Sequence, residues 1–241
     1  MTGPTTLPAT TRTVADVVAD MKTLGATMAA DHGEADGVVR FNSLYLQVTE
    51  GVYAALAVQQ DFFALPEPMH RLDVIFGQLY LDAVADLAAK RHVPHSWNAL
   101  FRVRDKHGIA SLQFVLGGMN AHINHDLSCA LVSQWQEAGH RPSRDSPDYH
   151  DFTKVNEILK SKLDAEKKLL ETGIIKDIDR YNAKVDDRVA MLGIEVSRER
   201  AWTKAELLWE IREMKQATRA GLSLLDHEVA ALGHLILRPV V

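Results

Sequence analysis

Apolar positions in this chain recur at intervals of three and four along segments punctuated by short runs of Gly, Pro, Ser and Asp. Period-two stretches bounded by hairpin signals are scarce, so the pattern predicts an all-α fold. The predicted helices are Thr13 to Ala30, Arg40 to Phe63, Glu67 to Arg91, Ser96 to Asp105, Gly108 to Ala138, Tyr149 to Thr172, Ile174 to Leu192, and Ser197 to Leu237 with a break near Gly221. Pro66 and Pro68 suit the first turn of the third helix, and Ser197 reads as a cap before the charged turn Arg198, Glu199, Arg200. Gly139 to Pro147 is the clearest linker. No internal repeat is evident. The expected organisation is therefore a single-domain multi-helix bundle over residues 13–241, with a core bundle at 13–140, a charged C-terminal helical hairpin at 148–238, and a disordered N-terminus at 1–12.

One segment departs from the amphipathic pattern. Gly108 to Ala138 is apolar nearly all round, as befits a helix buried at the centre of a bundle, yet it carries Asn120, His122, Asn124, His125 and Asp126. At about 100° per residue, His122, His125, Asp126 and Cys129 fall within an arc of about 100° on one face, and Asn120 and Asn124 share the opposite face. An unpaired buried imidazole or amide costs about 1 to 3 kcal/mol and a carboxylate more, so hydrogen bonds, an ion or a wet cavity must answer this cluster.

Those residue types suggest chemistry. His122 and Asp126, four apart, can converge on one divalent ion, with Asp73 of the third helix as a further ligand and Zn, Fe or Mn as the expected metals. An activated water would then serve a hydrolase or oxidase, with Asp73 or His125 relaying the proton and Tyr80 beside them. Without a metal, His122 tuned by Asp126 is the acid or base of a cyclase or isomerase. Asn120, Asn124, Tyr45 and Glu50 are the expected substrate contacts, and the pocket is placed between the third and fifth predicted helices. A competing reading makes the protein a non-enzymatic binding or scaffold protein whose network is structural and whose charged hairpin recruits a partner or forms a homodimer. His227 and His234, seven apart on the last helix, and the loop histidines read as packing or surface residues, and Trp97, Trp202 and Trp209 as anchors.

Composition narrows the classes. The 241 residues are 46% hydrophobic and 24% charged, which excludes a collagen-like, disordered or disulfide-framed chain. A formal net charge of −5 argues against nucleic-acid binding. The single Cys129 fits a reducing cytoplasm, and no signal peptide and no membrane span are expected, since no window reaches about 18 apolar residues. The expected ligand is a small apolar molecule. No Gly-x-Ser-x-Gly, P-loop, dinucleotide fingerprint or Cys-x-x-Cys occurs.

Five motifs carry a resemblance: Asn42-Ser-Leu-Tyr, Leu72-Asp-Val-Ile-Phe, Tyr80-Leu-Asp-Ala, Gly118-Met-Asn-Ala-His-Ile-Asn-His-Asp-Leu, and Asp151-Phe-Thr-Lys-Val-Asn. From Phe41 to Leu159 the chain resembles a family of small all-α proteins catalogued as a domain of unknown function. The resemblance implies that Asp73, Tyr80, Asp82, Asn120, His122, Asn124, Asp126 and Asn156 occupy the family's polar motif positions. It implies no activity.

Overall fold

The computed structural model describes residues 12–57, 61–173 and 193–239. They form α1 (Val14–His32), α2 (Gly37–Ala57), α3 (Pro66–Ala88), α4 (His95–Phe101), α5 (Ser111–Ala121), a π-turn (His122–Asp126), α6 (Leu127–Ala138), α7 (Pro147–Gly173), α8 (Ile194–Ile211) and α9 (Lys215–Ile236). No strand occurs among the described residues, and the protein is an all-α multi-helix bundle. The rod made by α5, the π-turn and α6 runs through its middle, touched by α2, α3, α4, α8 and α9. All but the N-terminal turn of α5 is buried, which is why its sequence shows so little polar face.

Close packing on the rod depends on glycine. A Cβ added at Gly118 would lie 2.3 Å from the Phe41 ring of α2, so a larger residue would push the two helices apart. The rod also departs from the predicted single helix. Leu127 N–H donates to the His122 carbonyl five residues back, opening a π-turn at the polar cluster. Such turns insert one extra residue and are frequent at functional sites.

Helix starts are tied by carboxylates, some from far along the chain. Thr13 and Asp16 form a reciprocal capping box on α1, and Asp36 Oδ1 accepts from Val38 N–H at 2.8 Å at the start of α2. Asp151 of α7 accepts from Ala64 N–H at 2.9 Å and Leu65 N–H at 2.6 Å, ahead of α3. Asp226 of α9 accepts from His95 N–H at 2.9 Å and Ser96 N–H at 2.8 Å, at the start of α4. The C-terminal helices thereby satisfy amides that the N-terminal helices leave open.

Several predicted boundaries shift. The second helix is described to Ala57 rather than Phe63, and Asp61 and Phe62 form a turn. The break in the last helical segment falls at Arg212 to Met214, not at Gly221, where a Cβ would lie 3.3 Å from both Leu208 and Ile211. Gly221 thus serves a close helix crossing instead of a bend. Ser197 is not a cap, because α8 starts at Ile194 and Ser197 N–H already donates to the Gly193 carbonyl at 2.9 Å. The predicted helix Ile174 to Leu192 and residues 1–11 of the predicted N-terminal tail lie outside the described residues, while Arg12 pairs with Asp20 at 2.5 Å.

Candidate active site

Asp126 is the hub of the polar cluster. Its Oδ2 accepts from Trp97 Nε1–H of α4 at 2.9 Å and from His122 Nδ1 at 3.0 Å, and its Oδ1 lies 2.7 Å from His125 Nδ1. Burial works to raise the Asp126 carboxyl, but hydrogen bonds from both histidines outweigh it and hold the group below the usual carboxylate range. An ionised carboxylate only accepts, so each facing imidazole nitrogen carries a proton. For His122 this leaves the lone pair on Nε2. Burial drives His122 below the usual imidazole range despite the Asp126 hydrogen bond, which makes it neutral at neutral pH. His125 goes the other way: burial is overcome by the hydrogen bond and charge of Asp126 and by Asp226, 4.0 Å from its Nε2, so it is raised.

The His122 ring is fixed on several sides. It stacks on Phe76 at 3.6 Å between centroids and 5° between planes, and meets Tyr45 nearly edge-on at 4.3 Å. The ring is only 2% exposed, and its Nε2 has no hydrogen-bond partner among the described residues.

The His122 ring lines a cavity of about 50 Å³ walled by α2, α3, α5, the π-turn, α6, α7 and α8. Its lining is apolar except for Tyr45, Asp73, His122 and Arg198. Each of these four contributes a buried polar atom without a hydrogen-bond partner: Tyr45 Oη, Asp73 Oδ2, His122 Nε2 and Arg198 Nε. Ten such atoms occur among the described residues, and four of them belong to residues of this one wall, a concentration that suits a site for a molecule polar in part. Burial pushes the Asp73 carboxyl up to about 7, with the Arg198 charge opposing, and lowers the Arg198 guanidinium to about 9, with Asp73 opposing. Burial also holds the Tyr45 hydroxyl well above its ordinary range.

The structure sorts the predicted residues. His122, Asp73 and Tyr45 meet at the cavity, and Asp126 and His125 stand behind His122. Tyr80 does not reach the cavity, because its hydroxyl donates to Asn42 Oδ1 at 3.1 Å and Asn42 in turn donates to the Met21 carbonyl. Asn120 and Asn124 do not line this cavity either: Asn120 donates to the Val229 carbonyl of α9 at 2.9 Å and accepts from Asn124 at 3.1 Å. Glu50 is a surface residue paired with Lys22 at 2.8 Å. His122, Asp126 and Asp73 do not converge, since both Asp126 oxygens face imidazoles and Asp126 does not line the cavity. Among the described residues no group of three or more His, Cys, Asp or Glu side chains is placed to hold an ion.

The pocket also differs from its predicted position between two helices, because α7 supplies Val155 and Leu159 and α8 supplies Arg198. Sequence reasoning missed Arg198 by reading it with Glu199 and Arg200 as a solvated turn. A signal was present, however: Arg198 shares helical spacing with Ala201, Trp202, Ala205 and Leu208, the buried face of α8. Trp97, read as an anchor, also donates to Asp126.

Fold and site together define an all-α bundle built around a buried His–Asp pair that faces an apolar cavity. The sequence matches a family of unknown function (DUF5995) over residues 14–239, and the chain belongs to that family. No curated protein and no solved structure matches it. No described helix is long and apolar enough to cross a membrane.

Proposed function

We propose that the protein is a metal-independent acid–base enzyme, of the isomerase or cyclase kind, acting on a small, largely apolar molecule held in this cavity. The observation that supports it is the set of unpartnered polar atoms on Tyr45, Asp73, His122 and Arg198 around an otherwise apolar space. His122 Nε2 is the base: it is neutral, oriented by Asp126, and backed by a carboxylate that stabilises the imidazolium it becomes. Asp73, near 7, retains a proton to deliver at a second atom of the substrate. One proton is removed and one delivered, so the product is an isomer, and exchange with solvent restores both groups.

A divalent-metal hydrolase or oxidase fits these residues less well. The Arg198 guanidinium shares the cavity with His122 Nε2 and Asp73, and its charge repels a cation there. The lone Cys129 supports a cytoplasmic setting.

The test is incubation with a panel of small apolar ketones, alkenes and epoxides in D2O, read by NMR for rearrangement and deuterium incorporation. The expected result is turnover by the wild type and loss of about 100-fold or more in a folded His122→Gln variant. Equal turnover by that variant, or none by the wild type across the panel, contradicts the catalytic reading.

A further inference from the structure

We infer that the molecule held in the cavity is a short-chain monocarboxylate, its carboxylate on the Arg198 guanidinium and its hydrocarbon part among the apolar lining. The inference rests on reading the cavity as a small-molecule site, and adds the charge and size of what it takes.

Arg198 is 3% exposed. One of its terminal nitrogens donates to the Phe152 carbonyl at 2.7 Å, and the guanidinium lies over the Phe152 ring at 4.2 Å. Its Nε has no partner, and no carboxylate among the described residues comes within ion-pairing distance. Arg104 is held differently: its Nε is bound to the buried carboxylate of Asp36 at 2.6 Å, although its Nη2 is also without a partner. A buried guanidinium with no ion-paired carboxylate among the described residues, and only the unpaired Asp73 carboxyl acting on it, is suited to hold an anionic ligand. Asp73, the one carboxyl on the cavity wall, has its Oδ2 unpaired rather than on Arg198.

Size and charge narrow the anion. Among the described residues Arg198 is the only Lys or Arg lining the cavity, which suits a single negative charge better than a phosphate dianion. A planar carboxylate fits the donor fork of a guanidinium. A cavity of about 50 Å³ holds only about three to five water-sized groups, so the apolar part is a short chain rather than a fatty-acid tail.

The experiment titrates the purified full chain at pH 7 with butyrate and, separately, its neutral isostere butyramide, by saturation-transfer NMR with circular dichroism as the check on folding. Butyrate is expected to bind about ten-fold more tightly than butyramide, and Arg198→Gln to remove that preference while Arg198→Lys retains part of it. Equal binding of the two probes to the wild type, or an undiminished preference in folded Arg198→Gln, overturns the inference. Because the wild-type comparison stands alone, a variant that fails to fold leaves the test decisive. Butyramide binding as well as butyrate overturns the anion while sparing the cavity reading; binding of neither overturns both. Catalysis by His122 is judged separately, by the deuterium experiment.

Discussion

At the residue scale, the site works by what each polar atom lacks. Asn120, Tyr80 and Asn42 have hydrogen-bond partners within the fold, and their burial is accounted for. His122, Asp73 and Arg198 each carry one buried polar atom without a hydrogen-bond partner among the described residues, and all three residues line the same cavity. His122 and Asp73 were legible in the sequence, because polar residues on otherwise apolar helical faces need a reason. Arg198 was not, since Glu199 and Arg200 behind it made it look like part of a charged turn.

Asp73 yields a residue-scale prediction. Its carboxyl is near 7 in the folded chain against 3.8 as its ordinary value. Between those values the folded protein holds a proton that the unfolded chain releases, so this group's contribution to stability falls as pH rises through the window. Asp73→Asn should melt close to the wild type near pH 4 and above it near pH 8, and thermal melts at the two pH values check this. A difference that does not change with pH would contradict it.

At the scale of elements, the helical pattern carried most of the architecture, and local chemistry shifted its details. The central helix was readable from its unbroken apolar face, but its π-turn was not, because one inserted hydrogen-bond register leaves no mark in periodicity. Turn residues also misled: Gly221 looked like a break and serves a close crossing of α8 and α9. The cap ahead of α3 lies far along the chain, at Asp151, where no local capping signal could reveal it. Asp151→Ala strands two amides and should cost about 1 to 3 kcal/mol. For a chain of this size that lowers Tm by about 2 to 4 °C per kcal/mol, measurable by calorimetry. An unchanged Tm would show that other partners satisfy those amides.

At the scale of the whole molecule, the C-terminal helices do more than flank the bundle. Their charge density suggested a solvent-washed hairpin, yet α7 and α8 close the cavity with Val155, Leu159 and Arg198, and α9 holds α4 through Asp226. The site is therefore assembled from both halves of the chain, and no single motif could have displayed it. That assembly gives His122 its setting: a carboxylate on its Nδ1, the rings of Phe76 and Tyr45 against it, and a largely apolar cavity that it helps to line. The account stands on that nitrogen being an unprotonated base. Its most direct test is a pH series of long-range ¹H–¹⁵N NMR spectra of the His122 ring in the wild-type protein. The account predicts a protonated Nδ1 and a lone pair on Nε2 throughout the neutral range, with titration only below the ordinary value of 6.5. A doubly protonated ring at pH 7, or a proton on Nε2 instead of Nδ1, would contradict it.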